Sequence, residues 1–391
     1  MAASQSKASK IFLSVALGAA DDVWHFREID HLFLRERGLD DIAGQFFHGL
    51  FFLEWIRYPG FCIAERREIA MNKWKYTKGL HDLGNGVYAY LQPNGSWGWN
   101  NAGLVVEGEE SLLIDTLFDL ALTREMLAAM AVATKAATSI NTLVITHGNG
   151  DHYYGNELVH GAEIISTKAC AEEMTRTPPQ MLAQLKTAAP GMGDLGDYIL
   201  QSFGSFNFEG INPIPPTRTF EGRINIKVGK KEVQLIEAGP THTESDLLVY
   251  IPQNRTLFSG DILFIGGTPL MWVGPVSNWI RACDLILNMD VETIVPGHGP
   301  ITDKKGVEAV KGYWEYLLAE ARQCYDRNMS VDEAIADIDM TKYASWTDRE
   351  RIVVNMQTLY RGFKGDTSPA NVVEQFGGMA KLGLRKVESP E

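Results

Sequence analysis

The stretch "LVITHGNGDHYYGN" (143–156) places His147, Asn149, Asp151 and His152 within six residues, directly after an apolar run. The run predicts a buried strand, and the glycines that follow it predict a sharp turn. Two imidazoles, a carboxylate and an amide at one strand end are typical of a metal site, because a rigid strand fixes the positions of its ligands. The alternative is a polar loop that happens to contain histidines.

Three later segments repeat this arrangement. "GPTHTESD" (239–246), "LFSGD" (257–261) and "VPGHGP" (295–300) each place a His or an Asp in a Gly-containing turn after an apolar run. One histidine in a turn is more often solvated than ligating, but four such turns in one chain favour a metal site. The ligands predicted in these three segments are His242, Asp261 and His298.

Composition limits the classes of partner. The 391-residue chain has a net charge of -13 and no block of Lys or Arg, which argues against nucleic acid or an anionic membrane as the main partner. No apolar run approaches the roughly 20 residues needed to cross a bilayer. We therefore expect a small-molecule substrate, no nucleic acid and no membrane, and both a monomer and a homodimer remain open.

The four cysteines indicate a reducing compartment. Cys62, Cys170, Cys283 and Cys324 are far apart and form no C-x-x-C pair, so neither a disulfide framework nor a thiolate zinc site is expected. This pattern favours a cytoplasmic protein. The alternative is export directed by "IFLSVALGAA" (11–20), which resembles a short signal segment.

The chain divides near Met71. Residues 1–70 are rich in aromatic residues, lack clean periodicity and carry no site-like cluster, so we interpret them as an N-terminal extension of unknown role. Residues 71–391 alternate short strands, with turns at Asn85-Gly86 and Gly108-Glu109, and helical segments.

Helices are predicted between and after the strands. "LTREMLAAMAVATKAA" (122–137) has apolar residues at helical spacing, with Thr123 as its predicted cap, and the tail from Lys304 to Phe363 is mostly helical. This order of elements predicts an α/β (α+β) fold, a mixed sheet sandwich with helices on its outer faces and polar strand ends along one edge.

The motifs resemble a known family. In order, "LLIDT" (112–116), "THGNGDH" (146–152) and the three later segments resemble the signature of the metallo-β-lactamase-fold hydrolases, over roughly Lys75 to Phe363. The resemblance implies an αββα sandwich with the metal site at one edge of the sheets. It also implies zinc as the cofactor, with His147 and His242 on one ion, Asp151, His152 and His298 on a second, Asp261 between them, and Asp115 supporting the ligand loop.

The chain departs from this signature at Asn149, where the family usually has a third histidine. An amide oxygen is a weaker zinc ligand than an imidazole. Asn149 therefore leaves the first position, that of His147 and His242, without a strong third ligand, whereas the second position keeps all its ligands. A centre that functions with one zinc ion is slightly favoured, and one or two ions remain open.

The ion implies the chemistry. Zinc lowers the pKa of bound water from 15.7 to about 7, so that hydroxide is available as the nucleophile of a hydrolase. The predicted catalytic residues are Asp151 or Asp261, which would hold or accept the water proton, and His242, which would polarise the electrophile. The alternatives are a carbonyl hydrolase (lactonase, thioesterase or β-lactamase type), a di-iron redox protein and a binding module without metal.

Aromatic residues predict the kind of substrate. The loop "QPNGSWGWNNAG" (92–103) and the segment "GGTPLMWVGPVSNW" (266–279) would line the pocket with apolar side chains, which disfavours phosphodiesters. Together with H-x-N-G-D-H, these features resemble the hydrolytic dehalogenases that act on chlorothalonil, a chlorinated aromatic nitrile, and imply hydrolysis of a carbon–chlorine bond. The residues predicted to bind substrate are Trp97, Trp99, Met271 and Trp272.

Overall fold

The computed structural model of the chain describes residues 74–384. The predicted N-terminal extension, its boundary near Met71 and Cys62 lie outside the described residues, so the division of the chain and the role of 1–70 stay predictions. In the described part, Cys170, Cys283 and Cys324 are buried and form no disulfide.

Seven strands form the first sheet in the order of the sequence. Strands β1 to β4 are antiparallel neighbours, and β4 to β7 are parallel neighbours. At the first hairpin, Asn85 and Gly86 both have positive φ (48° and 73°), the geometry that makes Asn-Gly a hairpin turn. The strands are β1 (Gly79–Gly84), β2 (Val87–Leu91), β3 (Ala102–Glu107), β4 (Glu110–Ile114), β5 (Thr142–Val144), β6 (Glu163–Thr167) and β7 (Arg218–Phe220).

Five strands form the second sheet, in the spatial order β12-β11-β10-β9-β8. Strands β8 to β11 are antiparallel neighbours, and β11 and β12 are parallel. These strands are β8 (Arg223–Val228), β9 (Lys231–Glu237), β10 (Leu247–Ile251), β11 (Thr256–Phe258) and β12 (Thr293–Val295).

Helices cover the outer faces of both sheets. The first helix begins at Leu120, because the carboxylate of Asp119 accepts a hydrogen bond from the Leu122 N–H (2.8 Å). The predicted cap, Thr123, is therefore wrong: it lies inside the first turn. The helices are α1 (Leu120–Ala133), α2 (Lys168–Glu173), α3 (Pro179–Ala188), α4 (Asp194–Phe203), α5 (Val276–Asn288), α6 (Lys304–Asp326), α7 (Val331–Asp337), α8 (Ile352–Lys364) and α9 (Val372–Leu384).

The central core lies between the two sheets. Val105 and Leu112 from the first sheet and Leu235 and Val249 from the second belong to one buried apolar cluster, and separate clusters fill the space beneath the helices on each side. Every strand of such a core buries apolar area, which stabilises the sandwich by about 25 cal/mol per Å². The predicted mixed sheet sandwich with outer helices is confirmed.

No helix among residues 74–384 combines the length and the apolar character that a bilayer crossing demands.

Candidate metal centre

The loops that leave β5, β9, β11 and β12 converge at one edge of the sandwich. Parallel strands end at the same edge of a sheet, so polar residues that follow β5 in one sheet and β11 and β12 in the other meet there. All the predicted ligands lie in these loops: His147, Asn149, the turn Gly150–His152 with Asp151 and His152, His242, the turn Gly260–Ile262 with Asp261, and His298.

Asp261 lies at the middle of the cluster. Its Oδ1 is 3.2 Å from Nε2 of His152, and its Oδ2 is 3.3 Å from Nε2 of His298. The same Oδ2 is 3.5 Å from Nε2 of His242 and 3.8 Å from Nε2 of His147. The carboxylate is almost fully buried, with 4 % of the side chain exposed. A buried carboxylate faced by four imidazoles is a polar group that requires a charged partner.

A glycine makes room for this carboxylate. A Cβ placed on Gly297 would lie 1.9 Å from Oδ1 of Asp261. The Gly297 N–H donates to the carbonyl of Gly260 (2.8 Å), which holds the two ligand loops together. Gly297, the first glycine of "PGHGP", is therefore required because its backbone approaches the carboxylate of Asp261 too closely for a side chain.

Asp151 and Asn149 form the more open side of the centre. Oδ2 of Asp151 is 3.4 Å from Nε2 of His298 and 3.8 Å from Nε2 of His152, and 13 % of its side chain is exposed. Asn149 is half-buried, whereas the histidines are buried. The cluster is therefore more exposed on the side of these two residues than elsewhere.

The residues fit a divalent cation. Among the residues that the structure describes, Nε2 of His147, Nε2 of His152 and Oδ1 of Asp261 are buried and make no hydrogen bond. An unpaired buried polar atom costs about 1–3 kcal/mol. The ligand atoms of His147, His152 and Asp261 lie within 4.8 Å of one another, as do those of Asp151, His152 and His298. Nitrogen and carboxylate ligands in this number suit zinc and similar ions.

Asp115 orients His152. Its Oδ2 is 2.8 Å from Nδ1 of His152, and its Oδ1 accepts a hydrogen bond from the Thr146 N–H (2.7 Å). The backbone of Asp115 has a φ of 60°, a strained conformation outside glycine. Because Nδ1 is occupied by Asp115, Nε2 is the nitrogen that His152 presents to the cluster.

We expect Asp115→Ala to weaken metal affinity by about 10–100-fold, the usual effect of removing a carboxylate that holds a ligating imidazole. Equilibrium competition with a chelator measures the affinity. The matched control is Asp119→Ala, which removes another buried carboxylate, at the start of α1, and should leave the affinity unchanged while lowering the melting temperature. Equal affinities in Asp115→Ala and the wild type would contradict the role of Asp115.

The imidazoles differ in charge before any ion binds. Burial lowers the pKa of His152 and His298, but the neighbouring carboxylates, Asp261 foremost, outweigh burial. The pKa of His152 is held well above its usual range and that of His298 is raised to about 9. At His242 burial dominates and lowers the pKa to about 4, and burial also holds the pKa of His147 well below its usual value. Two of the four imidazoles are therefore protonated at pH 7.

Binding of one divalent cation at pH 7 should release about two protons, because ligation requires neutral His152 and His298. The affinity should accordingly rise as the pH increases through the pKa of His298, about 9, because His298 then loses its proton unaided. Titration calorimetry in buffers of different ionisation enthalpy counts the protons. The variant His81→Ala, which removes an imidazole elsewhere, should release the same number. Binding without proton release would be incompatible with these charge states.

Asn149 and His242 contact each other directly. The Asn149 Oδ1 lies 2.7 Å from Nε2 of His242, whose Nδ1 lies 2.5 Å from the carbonyl oxygen of Leu270. The first predicted zinc position thus consists of two histidines and a neutral amide.

Asp246 holds the loop that carries His242 and was not singled out from the sequence, although it ends the motif "GPTHTESD". Its buried carboxylate accepts hydrogen bonds from the N–H groups of Thr243 (2.9 Å) and Thr241 (3.1 Å), on both sides of His242. Burial raises the pKa of Asp246 to about 7. A signal was present, because an Asp a few residues after a Thr-rich turn typically accepts its N–H groups.

Two of the four residues predicted to bind substrate lie together beside the ligand loops. Trp97 and Trp272 are half-buried with ring centroids 6.3 Å apart, and the Trp272 N–H donates to the carbonyl of His242 (3.0 Å). The ring of Phe376, from α9, lies 5.6 Å from Trp97 and 6.1 Å from Trp272. We call these three rings the aromatic cluster: Trp97, Trp272 and Phe376.

The other two contact the apolar cores: Trp99 is half-buried, like Trp97 and Trp272, and Met271 is buried. Trp99 contacts the ring of Phe206 (4.9 Å) beneath the helical layer of the first sheet. Met271 is 1 % exposed and belongs to the core under the helices of the second sheet. Its place in substrate binding therefore stays a prediction, at a side chain that packs almost entirely within this core.

Parts of the sequence and of the fold are shared with known proteins. The sequence model of the metallo-beta-lactamase superfamily matches residues 96–298. The alpha subunit of 2,4-dinitroanisole O-demethylase from Nocardioides sp. (strain JS1661) is 29 % identical over 136 residues, which are 33 % of this chain and 40 % of that protein. The chain therefore matches well under half the length of that relative.

Two further relatives cover more of the chain. The beta-lactamase-like protein 2 homolog of Caenorhabditis elegans is 24 % identical over 265 residues, 67 % of this chain and 77 % of that protein. The structure of the stereoselective inverting sec-alkylsulfatase Pisa1 from Pseudomonas sp. superposes with a TM-score of 0.56 at 16 % identity, covering 75 % of this chain and 52 % of that one. A likeness at this identity concerns the fold alone.

Proposed function

The chain belongs to the metallo-β-lactamase superfamily, and from that premise we propose that it is a zinc-dependent hydrolase of a small apolar or aromatic molecule. The observation that carries the proposal is the convergence of buried, unpartnered ligand atoms on His147, His152 and Asp261. Keeping these atoms unpaired would cost a protein without a cation several kcal/mol, since each contributes about 1–3.

The two proposed metal positions have ligands of unequal strength. Bound zinc supplies hydroxide at neutral pH, because it lowers the pKa of coordinated water from 15.7 to about 7. The tight position has two carboxylates and two imidazoles, whereas the other relies on a neutral amide, a poor zinc ligand. In this proposal Asp151, His152, His298 and Asp261 hold the ion, and His147, Asn149 and His242 form the weaker position.

Three residues are assigned roles toward the proton of the attacking water and the electrophilic group of the substrate. Asp151 is the more exposed of the two central carboxylates, 13 % against 4 % for Asp261, so its Oδ2 is the atom that accepts the proton of the attacking water. Asp261 fixes the imidazoles around it. His242 is the third proposed catalytic residue, and its Nε2 lies beside Asn149. Because its Nδ1–H donates to the Leu270 carbonyl and its pKa is lowered to about 4, Nε2 carries a lone pair, and His242 would act on the electrophilic group as a ligand of the weaker position.

We infer that the substrate is an electron-poor chlorinated aromatic compound, with chlorothalonil as the compound to test. The aromatic cluster supports this, because ring faces bind flat aromatic molecules, and Trp272 is bonded to the backbone of His242. The Nocardioides relative is named for 2,4-dinitroanisole, itself an aromatic ring with two electron-withdrawing groups. In the reaction a carbon–oxygen bond forms from water, the carbon–chlorine bond breaks, chloride leaves and the water proton passes to Asp151.

The test joins metal analysis to a substrate panel. Purified protein should contain zinc by elemental analysis and release chloride from chlorothalonil, with no comparable hydrolysis of lactones, thioesters or β-lactams. His152→Ala, prepared in the same way, controls for contaminating enzymes. Hydrolysis of a carbonyl substrate without chloride release would overturn the dehalogenase and favour a carbonyl hydrolase. Iron in place of zinc, or no metal at all, would overturn the zinc hydrolase.

A further inference from the structure

A buried arginine lies beside the centre and takes no part in the function proposed above. Arg351 immediately precedes α8 and is 2 % exposed. A charged side chain is almost never buried to this extent without compensating partners, because removing a cation from water is costly. The contacts of Arg351 therefore indicate what the buried charge does.

Its hydrogen bonds compensate the charge only in part. One Nη1–H donates to the carbonyl of Thr268 (3.1 Å), and Nη2 lies 3.6 Å from the carboxylate of Asp348. Nε makes no hydrogen bond to any residue in the range 74–384. The guanidinium instead lies over two aromatic rings, with Cζ 4.6 Å from the centroid of Trp97 and 5.2 Å from that of Phe264. A desolvated cation over aromatic faces is strongly attracted to them.

Both rings belong to segments that contact His298, a proposed metal ligand. Phe264 stacks on the His298 ring, with centroids 5.1 Å apart and planes 5° from parallel. Trp97 lies two residues after Gly95, whose carbonyl oxygen is 3.1 Å from Nδ1 of His298. The stacking partner and the hydrogen-bond partner of this imidazole thus belong to the two segments that Arg351 contacts.

Asp348 extends the connection to the loop of Trp97. Its Oδ1 accepts a hydrogen bond from Ser96 Oγ (2.5 Å), across 252 residues of sequence. A Cβ on Gly95 would lie 2.8 Å from the backbone nitrogen of Gly299, so this loop rests directly on the loop of His298. The Arg351–Asp348 pair therefore connects the start of α8 with the loop that contacts His298.

We propose that Arg351, paired with Asp348, is a positioning residue that holds the imidazole of His298 with Nε2 toward Asp151 and Asp261. Nδ1 faces the Gly95 carbonyl and the ring plane is set by Phe264, so the orientation of His298 depends on both segments remaining in place. Without the guanidinium, Trp97 and Phe264 lose their shared partner and the imidazole gains freedom to turn. The inference rests on the proposed metal binding.

The experiment measures metal binding itself. Arg351→Met in the full chain should weaken affinity for Zn²⁺ and Co²⁺ by about 10–100-fold, as expected for loss of a residue that orients a ligand, and should alter the visible absorption bands of bound Co²⁺. Ser96→Ala, which breaks the link to Asp348 without leaving a buried charge unpaired, should alter the same bands with a smaller loss of affinity. Arg351→Lys should restore only part of the affinity, because an ammonium lacks the planar face that stacks on both rings.

The matched control is Lys231→Met. Lys231 is another buried cation, paired with Glu107 at the start of β9, so its loss should lower the melting temperature and leave metal affinity and the Co²⁺ spectrum unchanged. Wild-type affinity and spectrum in both Arg351→Met and Ser96→Ala would overturn the inference, and Ser96→Ala decides alone if Arg351→Met does not fold. Wild-type protein that binds neither ion would overturn the proposed function and this inference together.

Discussion

Asp261→Asn is expected to leave the purified protein without a retained divalent cation and to reduce turnover by more than the roughly 100-fold loss that follows removal of a residue supporting a ligand. Four imidazole nitrogens lie 3.2–3.8 Å from this one carboxylate. The substitution preserves shape and removes the negative charge. An amide cannot replace a carboxylate as a strong zinc ligand.

Elemental analysis and turnover on the active substrate test this expectation. Asp119→Asn is the matched control, because Asp119 is buried to a similar extent and lies at the start of α1 rather than in the cluster. That variant should keep its metal. If Asp261→Asn kept one equivalent of metal with wild-type affinity, the assignment of Asp261 as the central ligand would be wrong.

Asn149→His should raise the number of retained zinc ions from about one to about two per chain, since a third imidazole completes the position formed with His147 and His242. The residue already lies at that position, with Oδ1 2.7 Å from Nε2 of His242. Elemental analysis after gel filtration counts the ions, and calorimetry resolves the second binding step.

The control at the same position is Asn149→Ala, which should bind the single ion with little change because the tight position does not depend on the amide. Unchanged stoichiometry in Asn149→His would contradict the interpretation that the first position lacks a strong third ligand. Two ions in the wild type would contradict it as well.

Local patterns predicted most of the scaffold. The Asn85-Gly86 turn has positive φ at both residues, as its sequence requires. The predicted helical tail from Lys304 to Phe363 corresponds to α6, α7 and all but the last residue of α8. The start of α1 was misplaced at Thr123, because Asp119 and Thr123 both have side chains suited to capping and only the packed structure shows which accepts the Leu122 N–H.

Helix α9 was missed, although its sequence carried a signal. Asn371 accepts a hydrogen bond from the Glu374 N–H (3.3 Å), as a residue at a helix N-terminus does. Val372, Phe376 and Met379 recur at helical spacing in the sequence. Two adjacent glycines weaken that pattern, and nothing local indicated that Phe376 would join Trp97 and Trp272.

The sequence by itself determined the superfamily signature, the strand-end positions of the ligands and the chemical type of each one, because these depend on residues close together in the chain. Only the tertiary structure decided that Asp261 lies among four imidazoles, that Met271 is packed away, and that Arg351 and Asp348 connect with the support of His298. Such contacts join segments up to 252 residues apart. Their geometry depends on how the two sheets and their helices pack, and no local pattern of residues encodes it.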